Sequence, residues 1–339
     1  MSTSAPILVT GVAGFIGFHV AQRLLARAER VIGADCLTPY YDVGLKEARL
    51  RELSGAADFT FVHVNLADAE ATSRLFAEHR PTRVVHLAAQ PGVRRALIEP
   101  RPYVDSNVVA FLNMLEGCRH GGAEHLVYAS SSSVYGANRK LPFSEHDGVD
   151  HPVSLYAATK KANELMAHSY AHLFGLPATG LRFFTVYGPW GRPDMAVYAF
   201  TDAIAKGRPI EVANAGAVWR DFTYIDDIAE GVVRVLDRVP QPDPAWDAVQ
   251  ADPATSAAPH RVYNIGNNRP EKLDRLVSLI ERALNRRAQR IDVALPPGDV
   301  LETRADITDL QRDVGFAPST SLEEGVGRFV AWYRTYHGL

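Results

Sequence analysis

Apolar residues fall along this chain in short runs, each closed by glycine or a polar group. Ile7-Leu8-Val9-Thr10 ends at Gly11 and has the continuous apolar character of a strand buried on both faces. Apolar residues then recur at helical spacing over 15–28. The same alternation continues, predicting strands at 31–35, 59–64, 83–88, 125–129 and 181–186, and helices at 69–79, 104–119 and around Tyr156. Strands alternating with helices imply parallel βαβ units, hence an α/β fold with a Rossmann-like doubly wound parallel sheet.

The texture changes after Gly188, where Gly188-Pro189-Trp190-Gly191-Arg192-Pro193 reads as a loop. Helices are predicted at 197–206, 225–236 and 273–284, and strands at 210–212 and 261–265. Residues 240–259, rich in Pro, Ala and Asp, are expected to form an exposed, mobile loop. The expected division is residues 1–186 as the Rossmann domain and 187–339 as a smaller mixed α/β substrate domain. Segments near 220–239 and 261–268 are expected to return to the first.

Composition narrows the class. The 339 residues carry a net charge of −3, so no broad basic field suggests a nucleic-acid partner. Two cysteines, Cys36 and Cys118, make neither a disulfide framework nor a zinc pattern. A reducing, cytoplasmic setting without a structural metal is expected. No signal peptide and no apolar stretch long enough to span a membrane is visible.

Candidate chemistry gathers at the strand ends. Gly11-Val12-Ala13-Gly14-Phe15-Ile16-Gly17 lies between the first strand and the first helix. Glycines there permit a tight turn and close approach to a pyrophosphate, which the helix N-terminus attracts. Gly11, Gly14, Phe15, Ile16 and Gly17 are thus candidate dinucleotide contacts. Asp35 ends the second strand, where it is either a turn-former or an acceptor for ribose hydroxyls. A carboxylate there repels a 2′-phosphate, which favours NAD over NADP. Asn65 and Leu66 follow the third strand; Asn65 either reaches the adenine edge or caps the next helix. Ala88, Ala89 and Gln90 suit a wall against the cofactor, and Asn107 belongs either to the polar core or beside the cofactor.

Tyr156 and Lys160 stand one helical turn apart. As an exposed pair they would mean little. In a site, the ammonium is expected to lower the phenol's pKa and make Tyr156 a general base. Ser130-Ser131-Ser132-Ser133 follows an apolar run and delivers hydroxyls toward the same edge. Arg182, Arg192, Arg220 and Arg304 supply guanidinium groups able to hold phosphates or a carboxylate in two-bonded forks.

Taken together, these residues resemble the extended short-chain dehydrogenase/reductase family over nearly the whole chain. The resemblance implies Tyr156 as base, Lys160 on the nicotinamide ribose, and a serine assisting, with Ser131 first and Ser133 second. Within the family, Gln90 to Arg94, Ser154 to Lys161, Arg182 to Met195, Arg220 to Asp227 and Pro297 to Val300 are similar to the nucleotide-sugar 4-epimerases, those acting on UDP-glucuronate above all. Cys36 departs by standing where Asn is common. The resemblance implies diphosphate binding by Arg220, uridine ribose binding by Asp299, and a uracil near Val197 and Phe200. Arg94, Ser132 and Thr185 would lie near the sugar, and a homodimer would form through the 104–119 and Tyr156 helices. The implied reaction is C4 epimerisation through a 4-keto sugar with bound NAD recycled. Arg192 is the candidate to grip the uronate carboxylate. Rival readings are decarboxylation of the same substrate, epimerisation of UDP-glucose, and an NAD-sensing binding protein. A 4,6-dehydratase is disfavoured, since Ser132-Ser133 stands where its acidic pair belongs.

Overall fold

A computed structural model describes residues 5–295 and 300–339. In chain order the first part runs β1 Ile7–Thr10, α1 Phe15–Ala26, β2 Val31–Asp35, α2 Val43–Ser54, β3 Phe59–His63, α3 Ala69–His79, β4 Arg83–His86, α4 Arg101–Val104, α5 Ala110–Gly121, β5 His125–Ser131, α6 Leu155–Phe174 and β6 Ala178–Phe183. The second runs β7 Thr185–Tyr187, α7 Ala196–Ala205, β8 Ile210–Ala213, β9 Trp219–Tyr224, α8 Ile225–Leu236, β10 His260–Ile265, β11 Pro270–Lys272, α9 Leu273–Leu284, β12 Arg290–Val293, α10 Thr308–Val314 and α11 Leu322–His337.

Seven strands form one sheet in the order β10-β6-β5-β4-β1-β2-β3, and every pairing is parallel. Alternate residues of a strand serve opposite faces. Ile7 and Val9 join α1 and α8 in one core, whereas Leu8 joins Phe111, Met114 and Leu115 of α5 in the other. Both faces are therefore covered, which is why the strands read as unbroken apolar runs. Strand order reverses between β1 and β4, and the crevice beyond their carboxyl ends is where such sheets bind ligands.

A smaller three-stranded sheet, β11-β9-β7, and a pair, β12-β8, flank that edge. The predicted strand over 181–186 is in fact two. β6 stays in the large sheet, while β7 pairs with β9 in the small one. Leu181 to Val186 is apolar throughout apart from Arg182 and Thr185, so composition does not mark the break at Phe184.

Several elements, among them α2, β9, β11, β12, α10 and α11, escaped the periodicity. α2 buries Lys46 and Arg49 beside Leu45, Ala48 and Leu53, so it shows no clean apolar stripe. β9 buries Asp221 and Thr223 among its apolar residues. Residues 240–259 are exposed over much of their length, as expected, but the segment is tied down at several points. Ser256 accepts from Asp243 N and meets His168, Ala254 accepts from Val262 N, and Ala254 and Ala258 are buried. Among the described residues, no helix is long and apolar enough to cross a membrane.

Candidate active site

A cavity of about 990 Å³ opens at the carboxyl edge of the large sheet, bounded by the glycine turn, the serine run and the loop after β7. Gly11 has φ +68°, and a Cβ there would stand 2.8 Å from Ala88 N. Only glycine fits, because the turn lies against the end of β4. Thr10 clasps the same point: its hydroxyl meets His86 Nδ1 at 2.8 Å and accepts from Ala88 N at 3.2 Å. Gly14 then opens α1 with no side-chain cap, leaving that helix's first N–H groups for an anion. Asp35 closes β2, its Oδ2 accepting from Ala13 N at 3.1 Å and its Oδ1 from Leu37 N at 2.8 Å. A glycine turn, an open helix terminus and a carboxylate on the neighbouring strand fit a dinucleotide's pyrophosphate and adenosine ribose.

Gly11, Gly14, Phe15, Ile16, Gly17, Asp35, Asn65, Leu66, Ala88, Ala89 and Gln90 all line the cavity. Asn65 is not the cap of α3; its Oδ1 accepts from Ala67 N, and Asp68 caps the helix. Asn107 does not line the cavity and is polar core. It sits in a π-helical turn, Asp105–Val109, accepts from Gln90 N at 2.7 Å, and donates to Gln90 O and Thr159 Oγ1 at 3.1 Å each. Its hydrogen bonds fix Gln90, which lines the cavity.

Tyr156, Lys160, Ser131, Ser132 and Ser133 share the opposite wall. Ser154 caps α6 by accepting from Ala157 N, which orients the first turn carrying Tyr156. The expected lowering of Tyr156 by Lys160 is corrected. Burial pushes the phenol up, and what pulls it back is Ser131 and the charge of Arg192. Lys160 points instead at the backbone, donating to Ala129 O at 2.9 Å, and burial brings it down to about 8. Ser131 accepts from Ser133 N at 3.2 Å and hydrogen-bonds the Tyr156 phenol. Ser130 turns away, donating to Glu164 at 2.6 Å.

The arginines divide. Arg94, Arg192 and Arg220 line the cavity with Thr185 and Phe200. Arg182 does not; it is fully buried and forked onto Glu164 of α6 at 2.9 and 3.0 Å. Arg304 lies outside as well, donating to Asn268 at 3.0 Å. Val197 packs in the core behind the cavity, and Asp299 lies outside the described residues. Arg192 is not the free fork expected from the sequence, because Asp194 already holds it with Nε–Oδ1 3.0 Å and Nη2–Oδ2 2.5 Å. Asp194 and Tyr40 were not anticipated, although both line the cavity. Tyr40 sits in the segment after β2, where no motif marks it.

With this geometry, the family model described as the NAD dependent epimerase/dehydratase family matches residues 7–266. A probable UDP-glucuronate 4-epimerase from Rhizobium meliloti is 50% identical over 96% of this chain and 96% of its own length. The crystal structure of UDP-glucuronic acid 4-epimerase from Bacillus cereus, in complex with UDP-glucuronic acid and NAD, superposes with a TM-score of 0.85 at 30% identity, covering 98% of this chain and 99% of that one. UDP-glucose 4-epimerase from Thermotoga maritima with UDP-glucose gives the same TM-score at 28% identity and the same coverage.

Proposed function

This chain belongs to the NAD dependent epimerase/dehydratase family and is an NAD-dependent enzyme, and we propose that it interconverts UDP-glucuronic acid and UDP-galacturonic acid at C4. The observation that carries the choice of an acid is Arg192. Its guanidinium lies in the cavity close enough to Tyr156 to act on the phenol's charge. A fixed cation beside the base suits a sugar with a carboxylate next to the reacting carbon. The relatives named for UDP-glucuronate point the same way.

In this reading Gly11 to Gly17 hold the pyrophosphate and Asp35 the adenosine ribose. Bound NAD supplies the site that takes the C4 hydride and returns it. Tyr156 takes the C4 hydroxyl proton, Ser131 steadies the phenolate, and Lys160 holds the nicotinamide ribose. The sugar then turns its other face and the proton returns from Tyr156. Arg94, Ser132, Thr185 and Arg220 hold sugar and diphosphate, and Phe200 borders the uracil.

A C4 ketone beside a C5 carboxylate is a β-keto acid, prone to lose carbon dioxide when that bond stands perpendicular to the carbonyl plane. Arg192 would keep the carboxylate from that angle, exchanging Asp194 for the substrate. The homodimer we propose would use α5 and α6, which pack together and leave Leu112 and Leu165 exposed. With both cysteines free, we place the protein in the cytoplasm.

The test is to incubate the purified protein with UDP-glucuronate or UDP-glucose and identify products by NMR. Galacturonate from the first sugar, with little galactose from the second, is the expected result. Efficient galactose formation would replace this reading with a neutral-sugar epimerase, and a pentose product with a decarboxylase.

A further inference from the structure

We propose that Arg49 is a positioning residue that fixes the distance between the cofactor turn and the loop that aims Arg192. This rests on the reading above, in which Arg192 faces the substrate. Arg49 lies on α2 and is fully buried. Its Nη1 donates to Ala13 O at 2.8 Å and to the Tyr41 hydroxyl at 2.7 Å. Its Nη2 donates to Trp190 O at 2.6 Å and Gly191 O at 3.4 Å. One planar group therefore touches the backbone between Gly11 and Gly14 and the two residues that precede Arg192.

The arrangement is unusual for a buried cation. Among the described residues its hydrogen-bond partners are carbonyls and a phenol, with no carboxylate, and Nε has none. Burying a guanidinium without an ion pair is costly, so its retention calls for a use. Loop geometry supplies one. Trp190 has φ +62°, a left-handed conformation that a tryptophan keeps only when its surroundings impose it. Its ring is held against Phe18 and Trp332, and the preceding carbonyl of Pro189 meets His19 Nε2 at 3.0 Å. Arg49 grips the carbonyl of Trp190 itself. Phe18 and His19 belong to α1, which begins at the glycine turn. Arg49 thus closes a ring of contacts from cofactor turn to substrate loop. A lysine keeps the charge but lacks the planar fork that reaches both segments.

The test uses Arg49→Lys and Arg49→Met in the full chain, with the fold checked by circular dichroism. NAD affinity is read by calorimetry, KM and kcat with UDP-glucuronate, and products by NMR. Arg49→Lys should hold NAD nearly as wild type but raise the uronate KM and lower kcat, together roughly tenfold or more, the scale expected when a gripping group is misplaced by a fraction of an ångström. Arg49→Met should in addition bind NAD more weakly. If either variant folds with NAD affinity, KM and kcat unchanged, or loses only melting temperature, the proposal is overturned. Should Arg49→Met not fold, Arg49→Lys decides alone. If wild type does not turn over UDP-glucuronate, the functional reading fails. Arg49 is then judged by calorimetry: weaker NAD binding in Arg49→Met supports it, and unchanged binding overturns it.

Discussion

Arg192 and Asp194 face each other two residues apart in a two-bonded fork, and the Tyr40 hydroxyl donates to the same carboxylate at 3.3 Å. The chain's own carboxylate thus occupies the geometry a substrate carboxylate would require. Arg192→Met keeps bulk and removes the charge. Charge-assisted hydrogen bonds contribute roughly 1.5–3 kcal/mol each. The variant should therefore lose roughly ten- to a hundredfold or more in kcat/KM with UDP-glucuronate. Weak activity on UDP-glucose should hardly change, and residual uronate turnover should leak toward a pentose. Full uronate turnover without pentose, by NMR, would assign the carboxylate to Arg94 or another group.

Tyr156→Phe removes the ionisable hydroxyl while keeping the ring. Turnover should fall at least about a hundredfold, the scale of general-base catalysis, with NAD still bound. Near-normal turnover would remove Tyr156 from the mechanism.

The same tyrosine predicts a pH dependence. Burial raises the phenol, while Ser131 and Arg192 lower it. The base works deprotonated, so the rate should climb with pH toward the phenol's pKa. Ser131→Ala and Arg192→Met each remove a stabiliser of the phenolate, so the ascending limb of kcat/KM should move to higher pH in both. A limb that stays in place would show that neither group acts on Tyr156.

Asp35 should exclude a 2′-phosphate, so NADP should bind far more weakly than NAD. Calorimetry that finds equal affinities would mean that Asp35 does not meet the ribose.

Glu164 and Arg182 are buried together between α6 and β6. Burial alone would raise the carboxyl, but Arg182 and Ser130 hold it below its ordinary value. A folded-state pKa below the unfolded one adds stability above the unfolded value, lost as pH falls through the folded one. Glu164→Gln leaves the buried guanidinium uncompensated and should cost about 3–5 kcal/mol at neutral pH. The deficit measured by urea unfolding should shrink in acid. A deficit independent of pH would contradict the assignment.

The frame and the cofactor turn are legible in local sequence. Apolar runs and helical repeats are written in neighbouring residues, and a glycine that must touch a strand end sits in the segment where the turn forms. Gly11 to Gly17, Asp35, the serine run and Tyr156 with Lys160 were legible for that reason. The fate of each charge was not. Arg182 and Arg192 are alike by composition, yet one lies beneath α6 against Glu164 and the other borders the cavity beside Asp194. Asn107 belongs to the polar core because Gln90 and Thr159 take its side chain. Lys160 was expected to act on Tyr156 because they are one turn apart, but the carbonyl of Ala129 on β5 takes its ammonium. Apart from Asp194, a near neighbour of Arg192, the deciding partner comes from a segment more distant in sequence. Only the assembled sheet brings it near, and local pattern holds no record of which backbone carbonyl or carboxylate will be waiting there.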